Sequence, residues 1–330
     1  LNRLDPELLH VHRPHLEYQG VQPGGDITFY HHIEDKTEIP FDVKYDANGF
    51  RNLTDLERAD IVVLGDSFIE ATTVRHEEML STRLGALTGR TVANQGQLWY
   101  GPQQELAVLR RYALRLRPQV VVWGFFGGND LSDFRRYEEM QRHWDERSAQ
   151  YHSLRQRSFT RNLVVLGRRL VAMPPRLPDA LFGWFPANAA SPKKMYFFYP
   201  ELPMTPEDRA TFPRVVSLLA EAERRTREAG ARFVVAYVPT KFQVYQDACR
   251  FEPGTEVAKW SSNELRVRLG DAVRKLSPEA LYVDLTPDLA VAARDGKLVY
   301  FRDDTHWTAL GNDVAARTME RALREAAVLK

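Results

Sequence analysis

Five short apolar runs, with residues at helical spacing between them, constrain this chain more than any other feature. The first, Ile61-Val62-Val63-Leu64, ends at Gly65-Asp66-Ser67. β-Branched residues bounded by glycine suit a strand buried on both faces, as in a parallel sheet. Thr91-Val92-Ala93, residues 120–125, residues 232–238 and residues 281–285 supply four more. Helical spacing over 76–88, 102–117, 206–229, 261–276 and 308–327 fills the intervals and closes the chain. Pro118 stops the second of these helices and Gly230 the third. Strands alternating with helices predict a parallel sheet covered on both faces, joined by right-handed crossovers.

Two regions depart from that rhythm. Residues 1–58 are rich in histidine, proline and glycine and only weakly periodic, so they read as an irregular N-terminal extension packed on a main domain of 59–330. Residues 131–205 carry charged helical stretches. A proline- and aromatic-rich run follows, with Met173-Pro174-Pro175, Phe182-Gly183-Trp184-Phe185 and Tyr196-Phe197-Phe198-Tyr199. An insertion directly after the third strand sits where open α/β sheets bind ligands. It is read as a cap over the site, the alternative being a peripheral subdomain that only adds stability. The stripe 196–199 reads as core or cap packing rather than a sugar platform.

Composition narrows the function classes. Forty-five basic residues against forty-four acidic ones leave no global field for nucleic acid or an anionic membrane. The pairs Arg110-Arg111 and Arg168-Arg169 read as solvated helix faces. A single cysteine, Cys249, excludes an intramolecular disulfide framework and a cysteine-rich metal site. His10, His12, His15, His31 and His32 cluster in the extension without carboxylates at ligand spacing, so no metal is expected there. No phosphate-binding glycine motif occurs, and no organic cofactor is expected. No run approaches 18 apolar residues. The chain starts at Leu1, which fits a processed or truncated form whose leader or anchor lay upstream.

Three segments carry chemistry, and each follows a predicted strand at the same end of the sheet. A serine hydroxyl needs a base, usually an orienting carboxylate, and donors aimed at the developing oxyanion. Ser67 sits where a buried strand turns into a helix. Asn129 follows Gly127-Gly128 after the third strand and has an amide that can donate to an oxyanion. His306 follows Asp303-Asp304-Thr305 just before the last helix. Taken singly, Ser67 reads as an N-cap, Asn129 as a turn residue and His306 as a surface histidine beside a capping aspartate. Together, in this order, they specify a nucleophile, an oxyanion donor and a base.

Gly65-Asp66-Ser67-Phe68, Gly127-Gly128-Asn129-Asp130 and Asp303-Asp304-Thr305-His306-Trp307 resemble blocks I, III and V of the SGNH (GDSL) hydrolase superfamily. The resemblance covers roughly 60–325. It implies a flavodoxin-like three-layer α/β/α fold with a five-stranded parallel sheet, nucleophile Ser67, oxyanion donor Asn129 and base His306. Val238-Pro239-Thr240-Lys241, Val244-Tyr245 and the Asp-Thr-His-Trp at 304–307 resemble the alginate O-acetyltransferase-like branch, which implies acetylated saccharide as substrate and a site outside the cytoplasm. It also leaves room for a membrane-bound partner that donates acetyl; nucleic acid has no place among the partners, and the sequence carries no signal of oligomeric state.

Two departures from the family pattern matter. In Asn94-Gln95-Gly96-Gln97-Leu98-Trp99-Tyr100-Gly101-Pro102 the family has glycine where Trp99 stands. That backbone N–H contributes to the oxyanion hole, together with the N–H of Ser67. An indole there would crowd the site, stack on a sugar or force another backbone angle. The triad acid is Asp303 by the general family spacing and Asp304 by that of the acetyltransferase-like branch, with Asp304 preferred. Two alternatives remain beside the enzyme reading: a non-catalytic carbohydrate-binding protein of this fold, and a lipid-ester or thioester hydrolase.

Overall fold

The computed structural model describes residues 2–31, 33, 35–152 and 181–328. Before the main domain come two antiparallel pairs, β1 (Asn2–Asp5) with β2 (Leu9–His12) and β3 (Glu17–Pro23) with β4 (Glu38–Lys44). The extension is therefore ordered by hairpins rather than irregular. Its turns lack the Asn-Gly and Asp-Gly signals that make hairpins legible. Ion pairs fasten it: Arg110 with Glu7, and Arg111 with Asp5 at 2.8 Å. That arginine pair is thus an anchor for the extension, not a free solvated face, while Arg168-Arg169 lies outside the described residues.

The central sheet is parallel throughout. It contains β5 (Ile61–Gly65), β6 (Val92–Gly96), β7 (Val120–Phe126), then β10 (Arg232–Val238) and β11 (Leu281–Asp284), in the order β11-β10-β7-β5-β6. The remaining strands, β8 (Leu181–Phe185) and β9 (Lys193–Phe197), pair with each other. Counted along the main domain, the order is 2-1-3-4-5 with the switch between β5 and β7, the flavodoxin-like arrangement.

Period-two alternation splits the strand residues between two cores. Ile61, Val63, Val120, Val122, Val234 and Ala236 pack toward helices Leu80–Thr88, Thr286–Arg294 and Ala309–Glu325. Val62, Leu64, Val121, Trp123 and Val235 pack toward helices Pro102–Arg111, Pro206–Glu228 and Leu265–Arg274. Three layers result. Helix Thr286–Arg294 has no counterpart in the sequence reading.

The helix after β7, Asp130–Arg142, belongs to this layered core through Leu131 and Phe134. The start of the region expected as a cap is therefore an ordinary crossover helix. Of the rest, helix Trp144–His152 and the β8–β9 hairpin are described, and Met173-Pro174-Pro175 is not. The hairpin is sewn to its surroundings, with Trp184 N–H donating to Arg250 O at 2.9 Å and Tyr196 N–H to Arg302 O at 2.9 Å. Of the stripe 196–199, Tyr196 and Phe197 are buried while Phe198 stays exposed. Among the described residues no helix is long and apolar enough to cross a membrane.

Candidate functional site

The switch point fixes where the site lies. Strands β5 and β7 are neighbours, so the segments after them emerge side by side at the carboxyl edge of the sheet. Asp66 caps the short helix Ser67–Glu70 by accepting the Phe68 N–H at 3.0 Å. Ser67 is thus not the N-cap, and its hydroxyl is left for other work. It meets His306, whose Nε2 lies 2.8 Å from Ser67 Oγ. On the other side of the ring, Nδ1 lies 2.7 Å from Asp304 Oδ1.

Asp304 is fully enclosed and its carboxylate is saturated. Oδ1 also accepts the backbone N–H of His306 at 2.8 Å, and Oδ2 accepts that of Asp26 at 2.7 Å. Burial opposes its ionisation, yet the charge and hydrogen bond of His306, with the backbone donors, hold the carboxyl below its ordinary value. Burial alone would depress the His306 ring; the Asp304 charge and hydrogen bond, with Asp26 and Asp66 beyond, instead lift it to about 9. The ring also packs 5.0 Å from Phe68, which in turn meets Phe126 and Trp307.

Asp303 takes another place. It is fully buried and faces away from the ring, accepting the backbone N–H of Gly25 at 3.3 Å and of Thr37 at 2.9 Å. Asp303 therefore neither caps the last helix nor faces solvent. Thr308 caps that helix, accepting the Gly311 N–H, and Asp303 clasps the extension. A carboxylate that saturates two backbone donors leaves no signature in a single sequence.

Asn129 heads helix Asp130–Arg142 without capping it through its side chain, and its Oδ1 is buried without a partner. Its loop is braced by Asp130, whose Oδ2 accepts the Phe126 N–H at 3.0 Å. Beside it, burial raises the Asp66 carboxyl to about 6, opposed by the Phe68 N–H, the His306 charge and the Asn129 amide.

Trp99 keeps the left-handed backbone that a glycine would favour, with φ 67°. The indole does not fill the site but stands out, 63% exposed. Its loop is fixed from three directions. Gln97 N–H donates to Gly65 O at 3.0 Å, Leu98 N–H donates to the buried Glu70 carboxylate, and Arg136 donates to Trp99 O at 3.0 Å. The indole lines a groove of about 290 Å³ with Leu9, His10, Gln104, Arg136, Tyr137 and Met140.

The second motif braces the histidine loop. Lys241 is buried, donating to Tyr196 O at 3.0 Å and Arg302 O at 3.4 Å, and burial lowers its amine to about 8. Tyr245 OH accepts the N–H of Val299 at 2.8 Å and of Tyr300 at 3.2 Å.

Three histidines of the extension have separate partners. His10 contacts Leu98 O at 3.0 Å, His12 contacts Glu70 at 2.9 Å, and His15 lies 3.9 Å from Asp55; His32 lies outside the described residues. Among the described residues, Asp26, Asp304 and His306 alone gather three metal-ligating side chains. All four of their carboxylate oxygens already accept N–H or O–H donors. That donor set is spent on hydrogen bonds, so no metal is assigned to it. Asp26 itself is the site residue that the sequence reading missed.

Residues 194–330, which include the aspartate–histidine segment and the Lys241 motif, match the family model of the SGNH hydrolase-like domain, acetyltransferase AlgX. This carboxyl-terminal part of the chain is similar to SGNH hydrolase-like domains. The match falls on the alginate O-acetyltransferase-like branch, in agreement with the resemblance of the segments at 238–245 and 304–307. No curated protein matches this chain. A carbohydrate esterase family 2 enzyme of Corynascus thermopiles is similar in structure at 10% identity and TM-score 0.44, over 89% of this chain and 71% of that one. A mutant acetylxylan esterase of Geobacillus stearothermophilus gives 12% and 0.42, over 82% and 95%. A GDSL-like lipase of Bacteroides thetaiotaomicron gives 11% and 0.41, over 82% and 89%.

Proposed function

We propose that this SGNH domain cleaves or transfers an acetyl ester of a saccharide through an acyl-Ser67 intermediate, outside the cytoplasm. The observation that carries the chemistry is the continuous chain from Ser67 Oγ through the His306 ring to Asp304, at 2.8 and 2.7 Å. Ser67 Oγ attacks the acyl carbon while its proton passes to His306 Nε2, and Asp304 balances the imidazolium. The ester C–O bond then breaks, and His306 returns the proton to the leaving oxygen. Water attacking the acyl-serine makes the domain an esterase; a glycan hydroxyl makes it an O-acetyltransferase. In either case His306 takes the incoming proton and restores it to Ser67. A transferase would draw its acetyl group from a donor, for which a membrane-bound partner is the natural source.

The oxyanion is assigned to the N–H groups of Ser67 and Trp99 and to the Asn129 amide. Ser67 opens a helix, where N–H groups have no intrahelical partner. Asn129→Ala is expected to lower kcat by roughly 10²–10³-fold with little change in KM. Steady-state kinetics on an activated acetyl ester check this, and a loss confined to thermal stability would return Asn129 to a turn residue.

Saccharide is preferred as substrate because of Trp99. An exposed indole held in a strained backbone costs stability without filling a core, and its flat face suits a sugar ring. Trp99→Gly relieves the strain, so the melting temperature should hold or rise. KM for an acetylated oligosaccharide should rise about tenfold, while p-nitrophenyl acetate turnover stays near wild type. Acetate release from acetylated glycans, set against p-nitrophenyl esters of rising chain length, tests the substrate class. Preference for long acyl chains would move the reading to a lipid-ester or thioester hydrolase. Failure of a fluorophosphonate to label Ser67 would move it to a binding module.

A further inference from the structure

The segment between β3 and β4 delivers a second carboxylate to the histidine. Asp26 Oδ2 lies 3.8 Å from His306 Nδ1. The same carboxylate accepts the Thr305 N–H at 2.8 Å through Oδ1 and the Thr305 hydroxyl through Oδ2. Its own backbone N–H donates to Asp304 at 2.7 Å. Gly25, one residue before, allows this approach, because a Cβ there would fall 2.3 Å from Asp304 Cβ and 2.4 Å from Asp303 O. Asp303 completes the clasp through the N–H groups of Gly25 and Thr37. One short stretch of the extension therefore touches every residue from Asp303 to His306.

We infer that Asp26 is a positioning residue for His306, supplied by the N-terminal extension: it fixes the Asp304–His306 pair and adds a second negative charge on the Nδ1 side of the ring. The inference rests on His306 acting as the base for Ser67. Most of the Asp26 contacts could be structural alone, but the charge at 3.8 Å would then be without consequence, and that difference is measurable. The charged groups facing the ring and its partners are Asp304 on its own loop, Asp26 from the extension, Asp66 from the β5 turn, and Lys241 from the helix after β10. Asp304 is the stronger neighbour, because it lies 2.7 Å from Nδ1 against 3.8 Å for Asp26. Asp26 is in turn pushed above its ordinary value by burial and by Asp304.

The sign follows from charge. A carboxylate near the ring favours imidazolium, so its removal lowers the pH at which His306 becomes the neutral base. Asp26→Asn keeps the backbone donor and an acceptor for Thr305 but removes the charge. NMR titration of the imidazole signals in the full chain, with His306 assigned by its absence in His306→Ala, reads the ring directly and needs no turnover. The midpoint in Asp26→Asn is expected to fall by about half a pH unit to one unit, and in Asp26→Glu to stay near wild type. The rising limb of kcat/KM against pH on p-nitrophenyl acetate should move down by the same amount, with a plateau lowered no more than about tenfold. An unmoved midpoint in a folded Asp26→Asn overturns the inference, as does a fall in Asp26→Glu as large as that in Asp26→Asn. Should Asp26→Asn not fold, Asp26→Ser carries the same titration. A shifted His306 midpoint in a protein that neither turns over esters nor labels at Ser67 would keep the Asp26 contact and sink the esterase reading.

Discussion

Ser67→Ala and His306→Ala are each expected to lower turnover of an activated acetyl ester by about 10⁴-fold or more, with folding intact. Neither substitution should disturb the core. Ser67 Oγ has one side-chain partner, His306, and the ring lies at the rim of the core against Phe68 with part of its surface exposed. The size of the loss follows from the chain of contacts: without His306 the hydroxyl keeps its proton, and without Ser67 the base has nothing to activate. Because the two serve one step, the double mutant should be scarcely worse than either single one. Kinetics on all three variants, with circular dichroism to confirm folding, provide the check. Losses that multiply would show two independent contributions and would break the proposed acyl-enzyme.

What the sequence reveals here depends on how local each physical signal is. The five sheet strands are legible because burial on both faces favours short, mostly apolar runs rich in valine, as in Val120–Phe126 and Arg232–Val238. Ser67 and Asn129 are legible because each follows such a strand at one edge of the sheet. His306 reaches that edge from the loop after helix Thr286–Arg294 and is legible from the Asp-Thr-His segment before the last helix. Asp26 is not, since its contacts with Thr305 and Asp304 join residues 278 or more positions apart. Nor is the clasp by Asp303, which binds only backbone N–H groups that any sequence would offer. The Trp99 side chain lay between three outcomes on sequence alone. The backbone answer depends on Glu70 and Arg136, which hold the loop in the left-handed conformation from a distance.

The two aspartates before His306 should separate sharply under the same isosteric change. Asp304 accepts three N–H donors: His306 Nδ1 at 2.7 Å, the His306 backbone at 2.8 Å and the Asp26 backbone at 2.7 Å. An asparagine has one oxygen for these three. If its oxygen faces His306, its NH₂ meets the Asp26 N–H; if it flips, the NH₂ meets the ring and forces the other tautomer. The wrong tautomer leaves Nε2 protonated and unable to take the Ser67 proton, a loss of about 10⁴-fold in a well-studied triad. Asp304→Asn is therefore expected to cripple turnover on that scale. Asp303→Asn keeps an oxygen for Gly25 and Thr37, and its NH₂ takes the place of the Oδ1 that has no partner. About 1 kcal/mol of stability and a small change in rate are expected, the latter transmitted through the segment that carries Asp26. Paired measurements of kcat and chemical denaturation decide between them. A crippled Asp303→Asn with an active Asp304→Asn would transfer the acid to Asp303, against the geometry of the ring. If both variants stayed active, the carboxylate would drop out of the mechanism and leave a Ser67–His306 dyad.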